Sequence, residues 1–157
     1  MFKPGIAYCL PVLLVCVTIV AWAQEKSVER EASERLVVRV DASSWISESF
    51  KVSPDSKRLA YAAQVGKRWV VLVDGQAGTP YDGIMTGSPI FSPDSQRVAY
   101  GVQVGRKWVV VVDGKEGKPY DGIVGGGGGR VIFDSSRSVY YLAGKGADIY
   151  LVQERIR

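Results

Sequence analysis

Apolar residues fall into short extended runs separated by polar turns, and one such arrangement occurs twice in the sequence. Residues 53–84 and 92–123 share 22 of 32 positions without a gap, at a period of 39. Each copy contains a Ser-Pro-Asp-Ser turn, an extended run, a glycine turn, a mostly apolar run and an Asp-Gly pair. Pro starts such turns with its fixed φ, and Asp bonds back to the backbone there. The pattern predicts short antiparallel strands.

The runs within each copy have the character of strands in stacked sheets. The first runs are 58–64 and 97–103, and the second runs, 69–73 and 108–112, are apolar on both faces. A strand with one solvent-exposed face would alternate apolar and polar residues, so the second runs are expected to lie between two neighbouring sheets. Asp-Gly pairs follow them, as in tight hairpins. A final short strand is expected in the Pro-Tyr-Asp-Gly-Ile segment that ends each copy.

Several short strands in a unit near forty residues are typical of propeller blades. A degenerate third unit spans 131–157, the full units span about 50–88 and 89–127, and 36–41 matches part of a blade. The predicted fold is therefore all-β, with about three antiparallel propeller-like blades, two full and two partial, that do not form a full ring. In a closing arrangement, the first partial blade at 36–40 would complete the third sheet.

The N-terminal segment has the features of an export signal. Lys3 precedes an apolar stretch, and Ala21-Trp22-Ala23 offers a small-x-small cleavage site, which predicts a signal peptide at 1–23. The protein is then periplasmic or extracellular. An uncleaved membrane anchor is an alternative because the stretch has about the length of a bilayer crossing, and lipidation at Cys16 is a weaker one.

Two connecting segments have no pattern of packed strands. Residues 24–35 are dense in charge and are interpreted as a linker or a short helix. The five glycines at 125–129 have no side chains to pack and are interpreted as a flexible connection. The repeat domain proper is therefore expected at 36–157.

Composition argues against catalysis. The sequence has no His, and its two cysteines, Cys9 and Cys16, lie in the export segment. The usual nucleophile and base pairs cannot be built from these residues. The repeated aspartates each lie beside Gly, Pro or Ser, where Asp is favoured for turn formation rather than for acid–base work or calcium binding. No enzyme activity, metal or cofactor is predicted, and the dispersed net charge of +4 does not indicate a nucleic-acid partner.

The segments SPDSKRLAY and SPDSQRVAY, each followed by WVV-x-VDG, resemble the WD-like β-propeller repeats of the TolB and dipeptidyl-peptidase N-terminal type. The resemblance covers about residues 50–153. It implies a blade fold, with Ser56 and Ser95 standing where the family usually has Gly. Family members carry enough repeats for a ring of six or more blades. Their peptidase activity lies in a separate domain, so the resemblance implies no activity for this chain.

The repeated aromatic and charged side chains are the candidates for a binding surface. Tryptophans repeated once per blade more often pack blades together, whereas tyrosines beside turns can reach solvent. The candidate surface combines two Tyr-Asp pairs with two basic pairs: Tyr81, Asp82, Tyr120, Asp121, Lys67, Arg68, Arg106 and Lys107.

Three functions stay open. The leading interpretation is an exported protein-binding or assembly module, which associates with another protein or with itself through an uncovered blade face. The alternatives are a fragment of a larger propeller without an independent role, and a binder of envelope polymers or carbohydrates that uses the tyrosines and the basic ridge.

Overall fold

The computed structural model describes residues 30–41, 44, 46–124 and 130–157. The chain divides into two units, Met1–Ser33 and Glu34–Arg157. In the first unit, residues 30–33 are described; they are exposed and have no regular secondary structure. The predicted export signal at 1–23 and the glycine run at 125–129 lie outside the described residues.

The first sheet, blade 1, has four antiparallel strands in the order β1-β2-β3-β4. A single 3-10 turn, Ser47–Ser49, precedes it. Its strands are β1 (Lys51–Val52), β2 (Leu59–Val65), β3 (Arg68–Val73) and β4 (Gln76–Ala77). The β2–β3 hairpin turns through Gly66, whose φ of 63° is the left-handed value that such two-residue turns require at their first central position.

The second and third sheets, blade 2 and blade 3, repeat this plan. Blade 2 contains β5 (Gly83–Ile84), β6 (Ile90–Phe91), β7 (Val98–Val104), β8 (Lys107–Val112) and β9 (Lys115–Glu116). Blade 3 contains β10 (Gly122–Val124), β11 (Ile132–Ser135), β12 (Ser138–Lys145) and β13 (Asp148–Arg155). In both blades, two short strands share one edge of a long strand, β7 or β12, and the other edge pairs with β8 or β13.

The predicted all-β fold of about three antiparallel blade-like sheets is confirmed. One detail differs, because the last strand of each sequence repeat does not finish its own sheet. β5 and β10 instead pair with β7 and β12 of the following blade. Counted across each blade without β5 and β10, the fourth strand of blades 1 and 2 is the two-residue β4 or β9, and blade 3 has three strands, β11, β12 and β13. The described residues form no helix of membrane-spanning length and apolarity.

The turn chemistry follows the sequence. The backbone N–H of Ser56 donates to the carbonyl of Ser53 at 2.8 Å, which closes the predicted turn. Asp74 and Gly75 have φ of 52° and 84°, the left-handed pair of a tight hairpin. The carboxylate of Asp74 also accepts the N–H of Leu59 at 2.9 Å, so it bonds within its own blade.

The blades bury their faces against one another. One buried cluster joins blade 1 to blade 2 through residues such as Val71, Tyr100 and Val111, and a second joins blade 2 to blade 3 through residues such as Val110 and Tyr141. Burial on both faces explains why the second runs contain almost only apolar residues. The prediction of a central strand between two neighbouring sheets is confirmed for 108–112, whereas the second face of 69–73 packs against Val38 and Val40 and not against a sheet.

The segment 36–40 does not complete the third sheet. It contains no strand, and Val38 and Val40 pack against the outer face of blade 1 beside Leu59 and Tyr61. The edges of the long third-blade strand β12 pair with β10, β11 and β13. The closing arrangement expected from the sequence is therefore not formed, and apolar contact with blade 1 holds this segment instead.

Polar contacts fix blade 1 against blade 2 at their turns. Ser95 has a φ of 64°, a conformation that glycine adopts without strain. Its buried hydroxyl accepts the backbone N–H of Asp55 at 3.0 Å. Arg58 donates to the carbonyls of Ser95 and Gln96 at 3.0 and 2.7 Å. Serine therefore supplies an inter-blade hydrogen bond that glycine could not make.

Candidate functional site

The two candidate tyrosines occupy equivalent backbone positions. Tyr81 forms an antiparallel bridge to Trp69 with N···O distances of 2.7 and 2.8 Å, and Tyr120 forms the same bridge to Trp108 at 2.8 and 2.9 Å. Each bridge lies on the outer edge of the third strand of its blade. The chain then crosses to the next blade, so each tyrosine side chain lies at a boundary between two blades.

The two tyrosine side chains have different surroundings. Tyr81 is 4% exposed, and its hydroxyl donates to Glu116 Oε1 at 3.0 Å. Burial, followed by the hydrogen bond to this carboxylate, raises the pKa of Tyr81 to about 12. Tyr120 is only partly buried and packs edge-on against Tyr141, with ring centroids 6.1 Å apart. No carboxylate contacts its hydroxyl within the part of the chain that the structure describes.

The candidate aspartates join neighbouring blades. Asp82 Oδ1 pairs with Arg68 at 2.5 Å and its Oδ2 accepts the N–H of Gly105 at 2.7 Å. Asp121 repeats this arrangement, pairing with Lys107 and accepting the N–H of Gly146 at 2.7 Å. The hydrogen bond from Lys107, followed by that from the Gly146 N–H, lowers the pKa of Asp121.

The predicted basic ridge divides into two kinds of residue. Arg68 and Lys107 form the ion pairs with Asp82 and Asp121, whereas Lys67 and Arg106 lie exposed at or beside the hairpin turns. Most residues of the candidate surface therefore make contacts within the fold. Whether these residues also bind a polymer stays a prediction, and the burial of Tyr81 leaves little of its ring available to a ligand.

The outer face of blade 3 is apolar and uncovered. The cross-strand register places one set of mostly apolar side chains on this face, with Gln153 as its polar member: Val124, Ile132, Tyr140, Leu142, Ile149, Leu151 and Gln153. Leu151 and Ile149 are 70% and 58% exposed. The matching faces of blades 1 and 2 are buried by the blade that follows each of them, whereas no sheet of the described residues lies against this face of blade 3. We call it the end face.

The end face also differs in side-chain size. Its Tyr140 and Leu142 occupy the positions that Ala99 and Gly101 occupy in blade 2, by the register of each sheet. In blade 2 the Met85 side chain of the β5–β6 connection fills the space over this strand, and a Cβ on Gly101 would lie 2.8 Å from it. The end face is therefore shaped differently from the contacts between blades 1, 2 and 3.

The outer edge of β13 has no strand beside it. Blades 1 and 2 cover the equivalent edge with β4 and β9, which follow an Asp-Gly hairpin. Glu154 and Arg155 stand at the hairpin positions in blade 3, and β13 continues through both of them. Because Arg155 replaces the glycine that a left-handed turn needs, the strand does not fold back there. Its outward backbone groups have no partner among the described residues.

A cavity of about 560 Å³ lies along this edge. Lys118, Tyr120, Lys145, Tyr150 and Gln153 are among its lining residues. The equivalent cavity between blades 1 and 2 has about 220 Å³ and is lined by Tyr81 together with Glu116 of β9. A fourth strand therefore narrows the inner cavity, and its absence beside β13 leaves the outer one wide.

The sequence reasoning missed these features of blade 3. It expected an uncovered blade face but did not name its residues. Two signals were present: Glu154-Arg155 in place of Asp-Gly, and Tyr140 and Leu142 in place of Ala and Gly. Nowhere in the described ranges do three or more His, Cys, Asp or Glu side chains come close enough to hold a metal ion. Comparison with protein-family models, curated proteins and solved structures finds no match to this chain.

Proposed function

We propose that this chain is an exported, non-catalytic β-propeller-repeat protein that acts as a protein-binding module, with blade 3 as its binding surface. The proposal of WD-like repeats of the TolB type rests on the repeated turn and strand motifs. The proposal of export rests on the N-terminal signal pattern. The proposal of protein binding rests on one structural observation, which is the uncovered end face of blade 3 together with the open edge of β13.

The exposed area explains why binding is the function favoured. Contiguous exposed apolar patches on soluble proteins mark interaction sites, whereas scattered single residues do not. Leu142, Ile149 and Leu151 lie next to one another on the end face. An open strand edge beside such a patch offers main-chain hydrogen bonds to a partner. Both features suit another polypeptide better than a small molecule.

Substitution on the end face tests this proposal. A photo-activated cross-linking amino acid at position 151 should give a discrete adduct with another polypeptide in cells that produce the chain. The adduct should disappear when Leu142→Glu places a charge on the same face. Val65 is a matched control because it is 62% exposed on a strand of blade 1. The same cross-linker at position 65 should give no such adduct.

Light scattering on the purified chain then identifies the partner class. A dimer that Leu151→Glu converts to a monomer would show that the partner is a second copy, whereas a monomer assigns the adduct to a different protein. Equal adducts from positions 65 and 151, or none from either, would contradict a binding role for blade 3.

A further inference from the structure

Three features meet at one place beside blade 3. The outer edge of β13 is unpaired, a cavity of about 560 Å³ runs along it, and the Tyr120 side chain lines that cavity. In blades 1 and 2 a short fourth strand occupies the equivalent edge. The three features are therefore what a blade would show if its fourth strand came from elsewhere.

The boundary between blades 1 and 2 shows what such a strand contributes. β9 pairs with β8 in the register Val111↔Glu116. Glu116 extends from this strand and accepts the hydroxyl of Tyr81 at 3.0 Å. The fourth strand of one blade thus supplies a carboxylate to the tyrosine of the preceding blade. The equivalent tyrosine at the next boundary is Tyr120, which has no such partner among the described residues.

The charges around the open cavity also favour a carboxylate at this position. Lys118 and Lys145 line it, and no Asp or Glu does so. The inner cavity is lined instead by Arg68 together with Asp82 and Glu116. Lys145 occupies the position of Val104 there, by the register of the two hairpins. A segment entering the open cavity would meet the ammonium groups of Lys118 and Lys145 and the hydroxyl of Tyr120, which can donate hydrogen bonds to a carboxylate. The Tyr150 hydroxyl, also at this cavity, donates to Asp148 at 3.3 Å.

We propose that an extended acidic segment of another polypeptide adds to the outer edge of β13 as the fourth strand of blade 3. Its carboxylate, carried by the residue opposite Val152, accepts hydrogen bonds from Tyr120 and from the lysines of the cavity. Main-chain hydrogen bonds supply the pairing and the carboxylate supplies the selectivity, as in other cases of strand addition. This inference rests on the proposed function and names the class of partner.

Strand direction gives the proposal a specific signature. In β8, the backbone groups of Trp108 and Val110 face the outer edge, since they bond Tyr120 and Gly117. The matching residues of β13, which are Ile149, Leu151 and Gln153, therefore present their N–H groups outward. Added pairing should protect these three amides from hydrogen exchange. The intervening amides already face β12 and should change little.

The test uses the purified chain and a capped synthetic peptide, acetyl-Ser-Val-Glu-Val-Ser-amide, with its Gln counterpart as the control. Hydrogen exchange and amide shifts are followed by NMR as each peptide is added. The Glu peptide should protect the outward amides of β13 and bind about tenfold more tightly than the Gln peptide, the ratio expected for one charge-assisted hydrogen bond.

Two matched variants separate the tyrosines. Tyr120→Phe should weaken binding of the Glu peptide, whose carboxylate then keeps only the lysines of the cavity, while Tyr81→Phe should leave binding unchanged. Both substitutions remove one hydroxyl from equivalent positions, so a general loss of structure would affect both variants. Native spectra of the Tyr120→Phe chain would exclude misfolding as the cause.

The remaining outcomes overturn the inference without touching the proposed function. Equal binding of both peptides would show strand addition without acidic selectivity. Outward amides that are already protected in the free chain, with a concentration-dependent degree of protection, would show that a second copy occupies the edge. If neither peptide protects the outward amides while position 151 still gives a cross-linked adduct, the partner binds the end face and does not add a strand to β13.

Discussion

Replacing Tyr81 and Tyr120 by Phe should have opposite effects on stability and binding, and the stability effect can be worked out from the structure. The Tyr81 hydroxyl donates to Glu116 Oε1 at 3.0 Å from a side chain that is 4% exposed. Tyr81→Phe removes this hydrogen bond and keeps the ring. Tyr120→Phe removes a hydroxyl to which the described residues offer no hydrogen-bond partner.

The magnitude follows from the exposure of the acceptor. Glu116 is exposed, so water replaces the lost hydroxyl at its carboxylate. No buried charge is left unpaired, and the cost is that of a net hydrogen bond, about 1–1.5 kcal/mol in the free energy of unfolding. Tyr120→Phe should change this free energy by less than about 0.5 kcal/mol, as for substitutions away from specific contacts.

Urea unfolding followed by tryptophan fluorescence measures both values. Trp69 and Trp108 lie beside the two tyrosines and report on their boundaries. The midpoint for Tyr81→Phe should fall by about 0.5–1 M relative to the unchanged chain, while that for Tyr120→Phe should stay in place. Equal loss for both variants would refute the reasoning, because it would mean that Glu116 does not distinguish the two boundaries.

Two further predictions concern the same boundaries. The pKa of Tyr81 rises to about 12 on folding from about 10 when unfolded, so its neutral form stabilises the fold fully below pH 10, and up to about 3 kcal/mol is lost as the pH rises through 12. Between pH 8 and 12, the free energy of unfolding should therefore fall more steeply for the unchanged chain than for Tyr81→Phe. Parallel curves would contradict this. Gly117→Ala should destabilise the chain by about 1–3 kcal/mol, because the added Cβ would lie 3.1 Å from the backbone oxygen of Val110 and 2.7 Å from a Glu154 oxygen. Gly122→Ala is the matched control with no atom within 4 Å, and thermal melting that lowers both midpoints equally would count against the steric argument.

Several of the repeated residues of the chain join one blade to the next. The Tyr-Asp pair of each copy forms a backbone bridge, an ion pair and a hydrogen bond to the following hairpin. Ser95 of the second Ser-Pro-Asp-Ser turn adds a contact of the same kind, because its hydroxyl accepts the N–H of Asp55. A residue that repeats once per blade therefore carries information about stacking. The residues proposed for binding lie where the repeat breaks down.

Part of the candidate site could be predicted from the sequence. The pattern placed Tyr120 in the short segment that ends its copy, and the loss of the Asp-Gly pair at Glu154-Arg155 is visible in the sequence of the repeat. The sequence could not show that β13 would extend to Arg155 and leave its edge open. That outcome depends on which strands come together, and contacts between distant segments are not encoded in the local period.

The strand assignment failed in one instructive place. The segments at 80–84 and 119–123 read as the last strands of their own repeats, yet β5 and β10 pair with the following blade. A strand of two or three residues is too short for its periodicity to indicate a partner. Its position depends on where the chain leaves the Trp-Tyr bridge, and that is a tertiary contact.

The sequence by itself determined the repeating unit. Fixed turn residues, left-handed Asp-Gly pairs and doubly apolar strands act over a few neighbouring residues, so a single blade can be inferred without knowledge of the rest. Only the tertiary structure decided which contacts the same sequence motif makes in different blades. Tyr81 is buried under the fourth strand of blade 2 and Tyr120 lines an open cavity beside blade 3, although both stand in the same Pro-Tyr-Asp-Gly-Ile segment. The reason is physical: a side chain's environment depends on the neighbour that packs against it, and that neighbour changes from one blade to the next.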